Sequence, residues 1–427
     1  MVPEFCYPHA PGDSVVGYRS RRKPSAQLRP HPRPNQPVTS GDTAAIVADM
    51  IDSANQLYHQ GLVSDALTRF RQASSTARDG SLDLQFSSTL ILFERSANFL
   101  RPEETLRELS TLRQLASSLG HAPALAGLHL AIARVEAHRG LCLQARRHIE
   151  IAQQLAEQTE DPKLRFHVDL VEAGLEIMVG NLVRALELSS AALRTAEAAG
   201  LSVQVLGSLA NLGTIALLRG QIPQARSYLD VVIRAAVAVT HLRGGAIDCL
   251  AQAALYEGDV RSGRRLIDEC KSLEINANCP ALSWGQISLR ITELYLLEQT
   301  SDWPGIVSRV ESLDQDLEAR QYRLLRAVAL CLKGRALAWL GDHSAADSVL
   351  SVAAECTPAG AVDPLIVFEA SKAVCLALSG DQESATVHLG RATAACRSIG
   401  HAYHERWIAR LIDAMSTSRL HYDASRR

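Results

Sequence analysis

The sequence predicts an all-α protein, a right-handed α-solenoid of about nine tandem helix-turn-helix repeats. Three observations lead to this prediction. The chain has 427 residues, which is too many for one ordinary compact core. Its residues are 47% hydrophobic but only 5% aromatic, and a composition rich in small and aliphatic side chains suits closely packed helices. A glycine also recurs in the same setting about every 40 residues, as in repeat proteins.

Residues 1–42 differ from the rest of the chain. They contain eight of the sixteen prolines, and six basic residues outnumber three acidic ones. Proline blocks regular backbone pairing and the segment has little to bury, so we predict a disordered Pro/Arg-rich tail. The basic cluster at 19–23 is read as solvated rather than as an electrostatic tether. The solenoid is expected over 43–415, followed by a flexible C-terminal tail at 416–427.

A recurring glycine marks the end of the first helix in each repeat, where a left-handed cap costs glycine least. The intervals between neighbouring glycines are 40, 40, 38 and 39 residues, and two longer gaps of 79 and 83 each span two periods. Those gaps predict repeats without the glycine, near Leu100 and near Ser301. The glycines are Gly61, Gly140, Gly180, Gly220, Gly258, Gly341 and Gly380.

A small-large-small pattern follows most of these glycines, at offsets of five, nine and twelve residues. In the third repeat these positions are Ala145, Ile149 and Ala152. Because the offsets differ by four and three, the three side chains share one face of the second helix. We expect the small residues to let the neighbouring helix approach. In the second and seventh repeats Thr105 and Ile306 replace the small residue.

This pattern resembles the tetratricopeptide repeat, in a form of about 40 residues, over about residues 46–415. The likeness is strongest in LYHQGLVSDALTRFRQA (57–73), AHRGLCLQARRHIEIAQQLA (137–156) and WLGDHSAADSVLSVAA (339–354). Alanine-rich repeats of this length are also similar to the helical sensor arrays of bacterial MalT- and LuxR-type transcription regulators. HEAT-type repeats have a similar length and are an alternative, but the small-large-small pattern favours the tetratricopeptide type.

The resemblance implies a partner-binding stripe on the concave face, carried by the first helix of each repeat. Aromatic and polar side chains occupy its two ends, and aromatic and arginine side chains are common binding anchors. We expect Tyr256 and Trp339 to be the strongest contacts, although packing within or between repeats would explain the same residues. The predicted positions are Asn55, Tyr58, His59, Arg134, His138, Met178, Thr214, Gln252, Tyr256, Tyr295, Gln299, Arg335 and Trp339.

Composition argues against several other classes of protein. The formal charge of −2 gives no electrostatic case for direct binding to nucleic acid or to an anionic membrane. No apolar run reaches the length of about 18 residues that a membrane span needs, and the N-terminus lacks a signal peptide. The nine cysteines are scattered and never spaced CxxC, so we expect a reducing compartment, no disulfide and no zinc site. These features predict a cytoplasmic protein.

Sequence motifs for catalysis are absent: the chain contains no GxxxxGK[ST], GxGxxG, GxSxG or HExxH. The nearest candidate is the pair His401 and His404 beside Glu405. Two histidines at i and i+3 share a helix face, but no third metal ligand is evident from the sequence. We interpret the pair as part of a polar surface cap on the terminal helix, and we expect no catalytic residue, metal or cofactor.

The resulting hypothesis is a non-catalytic scaffold or adaptor that binds a peptide or protein on the concave face of the array. The alternative is a sensing module of a MalT/LuxR-like transcription or signalling system, whose output domain is missing or on another chain. Residues after about 416 are too few to form such a domain. Charged and polar residues on both end helices favour a monomer or a weak homodimer.

Overall fold

The computed structural model describes residues 40–97, 99–159, 161–237, 239–274 and 283–425. These residues form nineteen α-helices and one short 3-10 helix at Ala77–Asp79, and they contain no strand. The predicted all-α helical-repeat architecture is therefore confirmed. The tail predicted as disordered lies almost wholly outside the described residues, and so do Cys6 and Cys279.

Eighteen of these helices form nine consecutive pairs, each with a first and a second helix. The pairs are α1 (Ser40–His59) with α2 (Val63–Thr76), α3 (Leu82–Ser96) with α4 (Pro102–Leu119), α5 (Ala122–His138) with α6 (Cys142–Glu157), α7 (Pro162–Val179) with α8 (Leu182–Ala198), α9 (Ser202–Leu218) with α10 (Ile222–Ala235), α11 (Thr240–Glu257) with α12 (Val260–Glu274), α13 (Trp284–Gln299) with α14 (Trp303–Ala319), α15 (Arg323–Trp339) with α16 (His343–Cys356), and α17 (Val362–Ser379) with α18 (Gln382–Ile399). The last helix, α19, spans Ala402–Ser425. It therefore includes residues 416–425, whose flexibility stays a prediction.

Left-handed residues end the first helices as the repeat predicts. Gly140 has a φ of +75° and Gly180 a φ of +88°. In the seventh repeat, Ser301 takes the same conformation with a φ of +56°, directly after α13 and its C-cap Thr300. A side chain with a Cβ is strained there by about 1–2 kcal/mol, and the seventh repeat keeps the turn despite this cost. In the second repeat, α3 ends instead with its C-cap Ala97 in the right-handed conformation.

The small residues of the repeat are buried between packed helices. Ala145, Ala152 and Ala346 are completely buried, and the larger Ile149 and Leu350 between such alanines are almost completely buried. Methyl groups at these positions let the axes of paired helices approach, while the larger side chain fills the space between them. The predicted register of the repeat is thus confirmed.

The two helices of a pair differ in how they are buried. A second helix such as α10 buries one stripe, Ile222, Ala225, Leu229 and Val232, spaced by three and four residues. A first helix such as α9 or α13 buries side chains around most of its circumference. First helices therefore form an inner layer and second helices an outer layer, which determines where a partner-binding face can lie.

The solenoid coils tightly enough for repeats four or five apart in the sequence to touch. Thr240 of the sixth repeat donates a hydrogen bond of 2.9 Å to the carbonyl of His59 in the first. His138 of the third repeat stacks on Trp284 of the seventh at 4.5 Å, and Gly140 lies against Pro358, which follows the eighth. Successive turns of the superhelix are therefore in van der Waals contact.

Two further properties bear on function. Within the described ranges, no helix has both the length and the apolarity needed to cross a bilayer. The seven cysteines in these ranges are buried free thiols, and desolvation raises the pKa of Cys249 to about 12. Such thiols behave as small hydrophobic side chains.

Candidate functional site: the inner channel and its C-terminal helix

The inner channel is the face formed by the first helices α9, α11, α13, α15 and α17. The last helix, α19, lies across this face. It contacts α9, α11 and α17 directly, and its Trp407 reaches residues of α13 and α15. Five of the helices that α19 meets are first helices, and the sixth is α18, which directly precedes it in the chain. The helix α19 therefore covers the inner face on which the sequence predicts a partner.

Trp407 is the main anchor of α19. Its indole N–H donates to Oε2 of Glu298 at 2.9 Å, and its ring lies 4.6 Å from the guanidinium of Arg335. Tyr295 meets the same ring edge-on at 5.9 Å. An indole, a cation and a second aromatic ring in this arrangement combine apolar burial with cation–π attraction.

A buried ion pair supports the Trp407 site from below. Nε of Arg335 donates to Oε1 of Glu298 at 2.7 Å, and Nη1 donates to the hydroxyl of Ser371. Arg335 is completely buried. Desolvation lowers its pKa, but the Glu298 carboxylate outweighs that effect and the pKa of Arg335 lies above its ordinary value. The carboxylate of Glu298 accepts hydrogen bonds from both Arg335 and Trp407. Removing either side chain would leave a buried polar atom without a partner.

A second set of contacts joins α19 to the end of α11. Tyr403 stacks on Tyr256 at 5.5 Å, and the guanidinium of Arg406 lies 4.8 Å from the Tyr256 ring. Arg410 donates to the carbonyls of Leu255 and Tyr256 at 2.8 and 2.6 Å. These carbonyls belong to the last turn of α11, whose partial negative charge attracts a cation.

The start of α19 is held by α17. His401 and His404 both lie against the carboxylate of Asp363, and all three side chains are buried. The prediction that these two histidines belong to a polar surface cap is wrong. The reason is that α19 folds into the channel instead of facing solvent at the end of the array. Their Nε2 atoms and a carboxylate oxygen lie within 4.8 Å of one another, an arrangement capable of holding a metal ion.

A polar network crosses the middle of the channel wall. Gln252 donates to Asp248 at 3.1 Å and to Thr292 at 3.2 Å, and Ser288 donates to Asp248 at 3.3 Å. Desolvation raises the pKa of Asp248 to about 6, against the opposing effect of these hydrogen bonds. The network connects α11 with α13 and keeps a carboxyl group inside the inner layer.

The N-terminal part of the inner layer is filled by contacts between superhelical turns. Tyr58 and His59 lie against His241, at 5.5 and 5.9 Å between ring centroids. Asn55 accepts a hydrogen bond from Arg95 at 3.3 Å. His138 stacks on Trp284, as described above. The side chains predicted at this end of the stripe therefore pack against other repeats.

A small polar cavity of about 20 Å³ lies beside this contact. Arg134 pairs with Glu94 at its wall, and His138 and Tyr322 also line it. A space of this size matches one water molecule rather than a ligand.

The other predicted positions are also largely enclosed. Met178 is completely buried, and Thr214 is buried beside Cys249 with 3.3 Å between oxygen and sulfur. Gln299 donates to the Leu255 carbonyl at 2.9 Å. Trp339 stacks on Trp303 at 5.4 Å and is half-buried. The structure brings Tyr256, Tyr295 and Arg335 together around α19, whereas Trp339 lies in a separate contact. Partner binding by any of these side chains stays a prediction.

Sequence reasoning missed the residues that complete this site, namely Glu298, Asp363, Tyr403 and Trp407. One signal was available. Glu298 and Asp363 are carboxylates in first helices, which form the inner layer, and a buried charge requires a partner. Tyr403, Trp407 and Arg410 are spaced by four and three residues, which places them on one face of α19.

Comparison with known proteins identifies the fold. No protein-family model matches the chain, and no curated protein does. Among solved structures, a Rap protein complexed with competence and sporulation factor superposes with a TM-score of 0.59 and 12% identity, covering 83% of this chain and 99% of the Rap chain. This likeness shows a shared fold, and with the repeat pattern it gives this chain a tetratricopeptide-repeat-like solenoid.

Two further solved structures align at lower scores. The TPR domain of P58(IPK) covers 86% of this chain and 99% of that domain, with 12% identity and a TM-score of 0.24. The structure of Naa15/Naa10 bound to HypK-THB covers 83% of this chain and 64% of the other, with 13% identity and a TM-score of 0.22. Scores this low carry no argument, and the finer resemblance to MalT- and LuxR-type regulators stays a prediction.

Proposed function

We propose that this chain is a non-catalytic protein-interaction scaffold whose inner channel binds a helical segment of a partner protein. The observation that carries the proposal is the position of α19. Channel side chains already hold a helix there, through aromatic, ion-pair and helix-end contacts. Tyrosine, tryptophan and arginine dominate these contacts, and they are the side chains that contribute most to protein interfaces. A partner helix would use the same positions once α19 has moved away.

In this proposal α19 is an internal competitor. It is covalently attached, so its effective concentration at the channel is high, in the millimolar range for a short connection. The apparent affinity for a partner is therefore reduced by the fraction of molecules in which the channel is open. Weakening the α19 contacts should strengthen partner binding without any change in the channel itself.

A sensing role would use the same surface. In that version, binding in the channel would control an output on another chain, and displacement of α19 would be the signal. The scaffold and the sensor share one physical event, the exchange of α19 for a partner segment. They differ in whether that exchange only holds the partner or also switches an output.

Trp407→Ala in the full-length chain tests the proposal. The variant loses the largest anchor of α19, and truncation of such an anchor typically costs about 2 kcal/mol or more. A fluorescent peptide of residues 400–425 is titrated into each protein and followed by anisotropy. We expect the variant to bind the peptide at least tenfold more tightly than the wild type, because its own helix leaves the channel more often.

Ile412→Ala is the matched control, since Ile412 lies on the same helix and is 39% exposed. It should bind the peptide as weakly as the wild type does. Helical circular dichroism checks that both variants remain folded. If the Trp407→Ala protein is folded and binds no peptide, the channel is not a helix-binding site and the proposal is wrong.

A further inference from the structure

Three buried side chains meet where α19 begins. Asp363 lies at the start of α17, His401 precedes α19, and His404 lies in its first turn. Nε2 of His404 is 2.7 Å from Oδ1 of Asp363, and Nε2 of His401 is 3.0 Å from the same oxygen. The exposed fractions of Asp363, His401 and His404 are 5%, 1% and 2%. Two imidazole nitrogens and a carboxylate oxygen thus converge in a site closed to bulk water.

This set of atoms has the composition of a metal site, and its members are close enough to share one ion. Two histidines and one carboxylate bind Zn²⁺ and other first-row divalent ions, with ligand atoms about 2.0–2.2 Å from the metal. Ligand atoms at that distance from an ion are about 3.3–3.6 Å apart in tetrahedral geometry. The distances of 2.7 and 3.0 Å to Asp363 are shorter than this spacing, so the side chains would move slightly apart around an ion. The three ligand atoms are all within 4.8 Å of one another.

The orientation of His401 adds a second observation. Its Nε2 is 3.0 Å from Oδ1 of Asp363, but this contact is poorly aligned for a hydrogen bond. A buried nitrogen with this close but misaligned neighbour would gain a partner from an ion placed between the ligand atoms.

Hydrogen bonding without metal is the competing explanation. His404 can donate its Nε2 proton to Asp363, and Nδ1 of His401 accepts the backbone N–H of His404 at 3.2 Å. A neutral imidazole carries one proton, so metal binding would move the proton of each ring to Nδ1. His401 would then give up its cap on α19, which is one long hydrogen bond, in exchange for a metal–nitrogen bond.

We propose that Asp363, His401 and His404 form a three-ligand site for a divalent transition metal of the Zn²⁺ class. The fourth coordination position is left for a small ligand such as water. The ion fastens the first turn of α19 to the ninth repeat. It thereby favours the state in which α19 fills the inner channel. The metal site itself does not depend on the proposed partner binding.

Metal titration of the full-length chain tests the site. The protein is stripped with a chelator and titrated with Zn²⁺ in competition with a chromophoric chelator, and with Co²⁺ by visible absorption. We expect one equivalent of Zn²⁺ with a dissociation constant below 1 µM, a rise in Tm on loading, and Co²⁺ bands of a site with nitrogen and oxygen ligands. His404→Gln and Asp363→Asn should each weaken binding at least 100-fold.

His148→Gln is the matched control. His148 and His129 form another histidine pair, with 2.7 Å between their Nδ1 atoms, but that pair is only partly buried. The control should keep the full equivalent of metal. The proposal would be overturned if metal binding disappeared in His148→Gln. It would also be overturned if the stripped wild type took up no ion and showed no change in Tm, and the three side chains would then form a metal-free hydrogen-bonded contact.

The wild type alone decides the matter if a ligand variant fails to fold, because stoichiometry, Tm and the Co²⁺ spectrum require no substitution. Binding of the α19 peptide separates this proposal from the previous one. Zn²⁺ loading should weaken peptide binding to Trp407→Ala at least threefold. Tight metal binding with no effect on the peptide would confirm the site and reject its connection to the channel.

Discussion

Fully buried alanines determine how closely the paired helices approach. Ala145 of α6 has no exposed surface, and it lies on the face that packs against α5. Leu143, two residues earlier on the same helix, points away and is 58% exposed. The two positions therefore have different environments, and substitution by glutamate should be far more destabilising at Ala145 than at Leu143.

Ala145→Glu should destabilise the protein by about 3 kcal/mol or more. The substitution places an unpaired charge and about four extra heavy atoms in the space between packed helices. Leu143→Glu should change the free energy of unfolding by no more than about 0.5 kcal/mol, since its side chain stays in water. Urea denaturation followed by circular dichroism measures both. Equal midpoints for the two variants would mean that the register of the repeat is misassigned.

At the scale of helices, the features that could be predicted from the sequence are those formed by residues close together in the chain. The offsets of five, nine and twelve residues predicted the buried faces of the second helices, because a helix periodicity repeats within one element. The place of the missing glycine in the seventh repeat was also predictable, and Ser301 takes the left-handed conformation there. Each of these features involves residues less than one repeat apart.

The site itself could be predicted only in part, because its contacts span long distances in the chain. Trp407 and Glu298 are 109 residues apart, and Thr240 and His59 are 181 apart. Such contacts depend on the pitch of the superhelix, and this pitch results from small rotations that accumulate over many repeats. A stripe projected on one helix identifies Arg335 as facing inwards. It does not reveal that Trp407 covers it.

At the scale of the whole molecule, contact between superhelical turns distinguishes this solenoid from an open one. Terminal and central repeats of an open array touch only their neighbours. Here the glycine turn after α5 rests on the turn after α16. A Cβ added to Gly140 would lie 2.8 Å from Cγ of Pro358, while one added to Gly341 would meet nothing within 4 Å. Both glycines are left-handed, with φ of +75° and +86°.

Gly140→Ala should therefore destabilise the protein more than Gly341→Ala does. Both variants incur the strain of a left-handed alanine, about 1–2 kcal/mol. Gly140→Ala also forces a contact with a rigid proline ring, and overpacking of this kind costs about 1–3 kcal/mol more. Small-angle X-ray scattering should show a larger radius of gyration for Gly140→Ala alone. Identical stability and dimensions for the two variants would contradict contact between the third and eighth repeats.

The same contact between turns should make the molecule sensitive to acid. His138 is 5% exposed and stacks on Trp284. Desolvation, with a smaller effect from the charge of Arg134, lowers the pKa of His138 to about 3. The unfolded chain binds a proton at this residue near pH 6.5, while the folded chain does not. The stability that results from its neutral state is fully present above pH 6.5 and is lost as the pH falls towards 3.

His138→Phe should reduce this loss. A phenyl ring keeps the stacking on Trp284 but cannot be protonated, so the variant lacks one proton-binding group of the unfolded state. Between pH 6 and 4 the free energy of unfolding should fall less steeply than in the wild type, by up to about 1.4 kcal/mol per pH unit. Urea denaturation at a series of pH values measures the slope. The exposed His343 provides the control, because His343→Phe should keep the wild-type slope. An unchanged slope in His138→Phe would show that protonation at the contact between turns does not govern acid stability.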